Sequence, residues 1–401
     1  MAKYKHFPLL LFSLLVFSRC GAQQAKVATE PVFASQIKTG AAQWERYLPE
    51  LKGKKIGVVA NQTSLVNDIH LVDFLISKGV LVKTVFAPEH GFRGEAGPGD
   101  KVASGKDEKT GLPIVSLYGK RRKPEPADLN GLEYVIFDMQ DVGVRFYTYI
   151  STLHYLMEAC AENNISIMVF DRPNPNGFYI DGPVLDTAFR SFVGIAPIPV
   201  VHGLTIGEYA LMANGEGWLK NKAICKLQVI KLENYSHDLK YELPVRPSPN
   251  LPNMASVYLY PSLCFFEGAA VSVGRGTAIP FQVMGYPGYE KGEYTFTPVE
   301  IPGIIKDPPY EDQECKGTLL AEAWPELIKS PQLRIEWLIE MYNAFPEKEK
   351  FFNNFFEKLA GNDKLRNQII AGESADAIRK SWQPELERYK TLRMKYRMYP
   401  D

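Results

Sequence analysis

The sequence has no net charge, with 46 Lys and Arg against 46 Asp and Glu. No overall basic field is therefore available to hold a nucleic-acid backbone or an anionic membrane surface, and nucleic acid is excluded as an expected partner. Beyond the first two dozen residues, no stretch is apolar for the roughly 20 residues a membrane helix needs, so no transmembrane span is expected in the mature chain. Cysteine is scarce, five in 401 residues. Cys160, Cys225, Cys264 and Cys315 are far apart and lack the paired spacing of a zinc site. Buried free thiols are the expectation, with disulfides the alternative if the chain meets an oxidising compartment. The motifs that usually announce a chemistry are also missing. There is no HExxH zinc helix, no G-x-S-x-G nucleophile elbow and no Walker lysine, and "GVVANQTSLVND" stands where a G-x-G-x-x-G would follow the first strand. Neither a metal nor a nucleotide cofactor is expected.

What is present begins with an export signal. "MAKYKHFPLLLFSLLVFSRCGAQQ" has a basic start, an apolar core and then small residues, the pattern of a secretory signal peptide over 1–22. Cleavage after Ala22 releases a soluble, periplasmic protein. Lipid modification of Cys20 is the alternative, against which Arg19 counts. Residues 23–36 are small, polar and unpatterned and read as a linker. Aromatic residues make up 12% of the chain and include 21 Tyr, a supply of amphipathic rings that suits sugar-like ligands.

From Ile37, short apolar runs alternate with helical patterns: KKIGVVAN, LVKTVFAP, LPIVSLYG, LEYVIFDMQD, ISIMVFDRPNP and LQVIKLEN as strands, with helices between them. Runs such as VIF and IMVF are apolar on both faces, as strands of a covered parallel sheet must be. The expectation is an α/β, Rossmann-like, mostly parallel sheet domain over 37–249. Prolines then crowd "VRPSPNLPNMASVYLYPSL" and mark a crossing near Asn250 into a smaller α+β domain over 250–401. That domain reads as a strand-like "GAAVSVGRGTAIPFQVMG" followed by three helical patterns.

In such a sheet, ligands bind beyond the carboxyl ends of the strands. Those ends are crowded here. LVKTVFA runs into Glu89, His90 and Arg93; YVIF into Asp138, Gln140, Asp141, Arg145 and Tyr147; IMVF into Asp171, Arg172 and Asn174. His202 lies in "PVVHGLT", and "FFEGAAVSVGRGT" adds Glu267 and Arg275. Glu89 reads either as a general acid, its proton retained by apolar surroundings, or as a helix cap or partner of Arg93. Glycoside hydrolysis takes two carboxylates, and Asp138, Asp141 and Glu267 are the candidates for the second. An internal Asp–Arg pair is expected for one of the two aspartates. His90 and His202 are candidate cleft residues, and Arg172 has the planar fork that grips a carboxylate. Thr205 and Glu208 form a capping box and are read as structural.

In their order and combination, PEHGFRG, FDMQDVGVRFYTY, DRPNPNG, VHGLTIGE, PSPNLP, FFEG…SVGRGT…PF and RKSWQPELERYKTLRMKYRMY resemble the exo-β-N-acetylmuramidase (NamZ) family of exported bacterial proteins. The resemblance spans roughly Trp44 to the C-terminus. It implies a Rossmann-like domain plus a smaller C-terminal one, an active site between them, and release of terminal N-acetylmuramic acid from peptidoglycan fragments. It carries Glu89 over as the leading catalytic carboxylate and the other loop residues as cleft lining. The lactyl carboxylate of a muramic acid would suit Arg93, Arg145, Arg172 or Arg275. An esterase or amidase acting on the same polymer, and a non-catalytic wall-saccharide binder, are the alternatives.

Overall fold

Four stretches rich in apolar residues and largely buried on both sides, flanked by two less buried ones, assemble into the parallel part of a seven-stranded sheet in a computed structural model of the chain. It describes Met1 and residues 37–89, 91–93 and 104–401; the signal peptide, linker, Cys20 and His90 readings lie outside the described residues. The strands of the first half are β1 (Lys55–Ala60), β2 (Leu65–Val66), β3 (Ile69–His70), β4 (Leu81–Ala87), β5 (Gly105–Lys106), β6 (Pro113–Ser116), β7 (Tyr134–Asp138), β8 (Ser166–Phe170) and β9 (Lys226–Ile230). Strands β2 and β3 form a separate hairpin, and the main sheet runs β5-β6-β4-β1-β7-β8-β9. Only β5 is antiparallel, and it closes one edge. The six parallel strands thus follow the doubly wound order 3-2-1-4-5-6, whose reversal point lies between β1 and β7.

Side-chain alternation divides the core cleanly. On one face, Ile56, Val58, Ala60, Val85, Ile136, Met168 and Phe170 pack with α1 (Trp44–Leu51) and α2 (Leu71–Ser77). On the other, Val59, Phe86, Val135, Phe137, Ile167 and Val169 pack with α4 (Tyr149–Glu162) and α5 (Ile206–Gly215); the short α3 (Pro126–Leu129) precedes β7. Each fully buried aliphatic or aromatic side chain contributes about 1.5–3 kcal/mol, so strands apolar on both faces are bound twice over.

The second half holds α6 (Met254–Leu263), a three-stranded antiparallel sheet of β10 (Val283–Tyr286), β11 (Tyr294–Phe296) and β12 (Cys315–Leu319), and helices α7 (Trp324–Lys329) to α12 (Ala375–Arg393). The second hydrophobic cluster continues from Val59 and α4 through α6 to Tyr389 in α12 without a break. Local detail departs from the sequence reading in three places. Most of "GAAVSVGRGTAIPFQVMG" is turn, because Gly274 and Gly276 take positive φ (77° and 82°) and only Val283–Tyr286 pairs as a strand. The second of the three helical patterns, FFNNFFEKLAGNDKLRNQII, is not one helix: it starts at the end of α9 (Lys348–Phe351) and holds α10 (Phe356–Ala360) and α11 (Lys364–Ile370), with Gly361 in the left-handed region ending α10. Conversely α6 tolerates Pro261: the proline leaves the Val257 carbonyl without its intrahelical donor, and Asn176 Nδ2 supplies one at 3.3 Å. Cys160, Cys225, Cys264 and Cys315 are buried free thiols.

Candidate active site

The strand ends split into two populations. The larger is closed on itself. Asp138, at the end of β7, is fully buried and gripped by Arg172 through Nε–Oδ1 and Nη2–Oδ2 contacts of 2.6 and 2.9 Å. Asp171, at the end of β8, accepts from Arg172 N, Gly207 N, Thr205 Oγ1 and Tyr399 Oη, and so pins the start of α5 and the C-terminal segment to the sheet. Thr205 and Glu208 form the expected capping box, and Glu208 also binds His237 Nε2 at 3.1 Å. Gln140 donates to the carbonyls of Asp141 and Pro173, and Asn174 donates to that of Leu204. Gly143 (φ 76°) lies against Asn174, whose Oδ1 would sit 2.0 Å from any added Cβ. His202 is buried with Nδ1 accepting from Leu204 N, and burial lowers its pKa to about 3, so the ring is neutral.

Arg145 belongs to this closed set. Its side chain is fully buried, and its guanidinium donates to four carbonyls: Pro183 and Ile198 at 2.8 Å, Leu359 at 2.8 Å and Ala360 at 2.9 Å. The arginine thereby fastens α10 to the loops beyond the parallel sheet. Arg93 turns away too, to Asp107 (Nε–Oδ1 2.9 Å) and Asp73 (3.3 Å), with its guanidinium over the Phe92 ring. The substrate-contact reading for Arg145 and Arg172 therefore meets two buried side chains whose terminal or paired donors are engaged inside the protein, although Arg145 Nε has no partner among the described residues. Asp141 is buried as well; Oδ1 accepts from Gly143 N at 2.7 Å, Oδ2 has no partner among the described residues, and burial pushes its pKa up to about 7.

The smaller population faces a cavity of about 340 Å³. Its wall is built from Glu89 after β4, Phe146 and Thr148 before α4, Tyr260 of α6, Glu267 and Arg275 after it, and a rim of Tyr118, Arg122, Ser191, Phe192, Val193, Phe355 and Lys358. An adjoining recess of about 60 Å³ shares Glu89, Phe146, Thr148, Tyr260 and Arg275 and adds Tyr147, Tyr149, Ser248, Asn250, Leu251 and Phe281. Glu89 Oε2 accepts from Thr148 Oγ1 at 2.9 Å, and Thr148 is the residue that precedes α4, so the carboxylate stands beside that helix's N-terminus. Neither sequence reading of Glu89 as a cap nor as a partner of Arg93 describes this contact. Glu267 and Arg275 form an ion pair, with Arg275 also over the Phe281 ring at 5.0 Å. Tyr147, Tyr149, Tyr260 and Phe146 meet edge to face and make a rigid aromatic floor, fixed by Asn61 Nδ2 on Tyr149 Oη (2.7 Å) and Tyr147 Oη on the Pro247 carbonyl (2.7 Å).

Of the residues singled out in the sequence, the cavity and recess bring together Glu89, Tyr147, Glu267 and Arg275. Asp138, Asp141, Gln140, Asp171, Arg172, Asn174, Arg145, Arg93 and His202 are not among their lining residues. Sequence reasoning passed over Thr148, Tyr260, Arg122 and Lys358. Thr148 and Tyr260 carried a signal, standing in the aromatic stretches FYTY and YLYPSL; Arg122, one of four cations in KRRK, and Lys358, one lysine on α10, carried none.

Comparison with known proteins gives a consistent picture. Residues 56–255 match the model of the N-terminal region of exo-β-N-acetylmuramidase NamZ, and residues 258–399 match that of its C-terminal region. The peptidoglycan β-N-acetylmuramidase NamZ of Bacillus subtilis (strain 168) is 38% identical over 371 residues, 88% of this chain and 89% of the relative. Two crystal structures of DUF1343 family proteins from Bacteroides fragilis NCTC 9343 superpose closely. One is 46% identical with a TM-score of 0.85, covering 92% of this chain and 100% of the other. The second is 28% identical with a TM-score of 0.77, covering 90% and 99%.

Proposed function

The chain belongs to the exo-β-N-acetylmuramidase NamZ family, and from that premise we infer that it is an exo-acting glycosidase releasing terminal β-linked N-acetylmuramic acid from peptidoglycan fragments. The observation that carries the reading to this chain's own residues is that two carboxylates, Glu89 and Glu267, line one aromatic-walled cavity. Cleaving a glycoside requires a proton on the departing oxygen and a negative group facing the oxocarbenium-like transition state. Glu89 takes the first role: it follows the strand next to β1, near the reversal point where open sheets bind ligands, and Thr148 fixes one of its oxygens. Glu267 takes the second, with Arg275 holding its orientation.

Asp138 and Asp141, the other candidates for the second carboxylate, are placed less well. Both oxygens of Asp138 are held by Arg172, and freeing them means breaking a buried ion pair, at a cost of about 3–5 kcal/mol. Asp141 reaches neither the cavity nor the recess wall. The aromatic floor supplies apolar faces for a sugar ring and keeps water from the acid. Export, argued from residues 1–22, puts the enzyme beside its polymer, as a soluble periplasmic protein or, through Cys20, an anchored one.

The test is Glu89→Gln with a disaccharide of N-acetylmuramic acid linked β-1,4 to N-acetylglucosamine, products followed by NMR. Wild type releases free N-acetylmuramic acid. The variant, shown folded by its thermal transition, is expected to lose about 10²–10⁴-fold in kcat/KM. A folded variant with unchanged turnover removes Glu89 from the acid role.

A further inference from the structure

Muramic acid differs from glucosamine by a 3-O-lactyl ether that ends in a carboxylate. An enzyme selecting it needs a cation to meet that group. The four arginines that the strand-end and GRGT motifs offered are all committed within the protein: Arg93 to Asp73 and Asp107, Arg145 to four carbonyls, Arg172 to Asp138 and Arg275 to Glu267. The cavity that holds Glu89 has two further cations on its rim, Arg122 and Lys358. Both are exposed, and neither has an acidic partner among the described residues.

Neither cation hangs from a loose surface. The Arg122 guanidinium lies over the Phe192 ring at 4.3 Å. Phe192 is buried, stacks on Tyr155 of α4 (6.3 Å, 13°), and its carbonyl accepts from Ser151 Oγ at 2.7 Å. A guanidinium held flat on such a plate loses little freedom on binding and keeps its N–H edge for a carboxylate. Lys358 sits on α10 immediately before Leu359 and Ala360, whose carbonyls Arg145 clamps, so the buried arginine positions the exposed lysine. Ser191, which lines the same cavity, has a buried Oγ without a partner among the described residues. Two cations without acidic partners and an unpaired hydroxyl lining one cavity suit a carboxylate better than a neutral sugar edge.

We propose that Arg122 and Lys358 bind the lactyl carboxylate of the terminal sugar and are the residues by which this enzyme selects N-acetylmuramic acid over N-acetylglucosamine. The inference rests on the proposed function for its substrate but concerns recognition, not cleavage. It is therefore tested by equilibrium binding, which does not depend on turnover.

Titration calorimetry at low salt compares free N-acetylmuramic acid, its methyl ester and N-acetylglucosamine on the wild type and on an Arg122→Ala/Lys358→Ala double variant. The wild type is expected to bind the acid about 10- to 100-fold more tightly than either neutral sugar, the range of a charge-assisted contact. The double variant is expected to bind all three alike, with an unchanged thermal transition. Arg122→Lys, which keeps the charge and loses the fork, is expected to fall between. A wild type without preference for the acid overturns the proposal, as does a double variant that retains the preference. The cleavage assay with Glu89→Gln is read separately: turnover absent from the wild type while the acid is still preferred in binding counts against the catalytic reading alone.

Discussion

Two regions of this molecule gather ionisable groups at the carboxyl ends of parallel strands, and they use them in opposite ways. Around β7 and β8, Asp138, Asp171, Arg172, Arg145 and Glu208 are buried and bonded to one another, to backbone or to the N-terminus of α5. Around β4 and the turn after α6, Glu89, Glu267 and Arg275 line a cavity. The difference lies in where the complementary group resides. Desolvating a charge is costly unless a partner is built in, so a fully buried charge paired inside the chain fixes loops, while one lining a cavity, even in a pair such as Glu267 with Arg275, keeps an exposed side for water or a ligand. The buried cluster still serves the open one, since Arg145 clamps α10 and with it the rim of the cavity.

The contrast can be broken by substitution. The largest expected loss of stability comes from Arg172→Ala, which leaves Asp138 buried and unpaired; denaturant unfolding should show about 3–5 kcal/mol less stability. Glu267→Gln should do the reverse, lowering kcat about 10- to 100-fold on the disaccharide, an effect of about 1.4–2.7 kcal/mol on the barrier, while the unfolding midpoint stays nearly in place. A stability loss like that of Arg172→Ala would move Glu267 into the structural group.

Asp141 gives a subtler effect with a definite sign. Its folded-state pKa is pushed up to about 7 by burial, above the ordinary aspartate value, so between about pH 4 and 7 the unfolded chain releases a proton that the folded chain keeps. Its contribution to stability is full below pH 4 and falls as pH rises, by up to about 1.4 kcal/mol per pH unit, levelling above 7. Asp141→Asn lacks that slope and can still accept from Gly143 N. Relative to wild type, the variant's melting temperature should rise from pH 4 to pH 7; parallel pH profiles would contradict the assignment. The smallest effect belongs to Arg93→Ala. Arg93 and Asp73 are partly exposed, and the buried Asp107 keeps Thr110 N and Oγ1 as donors, so losing the arginine should cost about 1 kcal/mol in a thermal melt.

The sheet was legible because its central strands are largely apolar on both faces and run into turn residues. Glu89 was legible because it follows one of those strands directly. The partition of the remaining charged residues was only partly legible: an internal Asp–Arg pair was expected for one aspartate, but the partners depend on contacts far apart in sequence, Arg145 with Leu359 and Ala360, Asp171 with Tyr399, and Asp138 with Arg172 beyond the next strand. A local reading sees an arginine in a loop and assigns it to a ligand, whereas four distant carbonyls have already claimed it. Distance also hid the rim. Arg122, Phe192 and Lys358 come from three unrelated segments, and each alone looks like ordinary surface. His237, from a polar loop, is likewise buried against the distant Glu208.

The central claim is that Glu89 acts by giving a proton to the leaving oxygen, and leaving-group dependence tests it most directly. An aryl glycoside with an acidic phenol, such as the 2,4-dinitrophenyl β-glycoside of N-acetylmuramic acid, departs without a proton, while a sugar leaving group requires one. For Glu89→Gln relative to wild type, the account predicts a fall of about 10²–10⁴-fold in kcat/KM on the disaccharide and less than about 10-fold on the dinitrophenyl glycoside. Equal losses on both substrates, or no loss on the disaccharide, would contradict it.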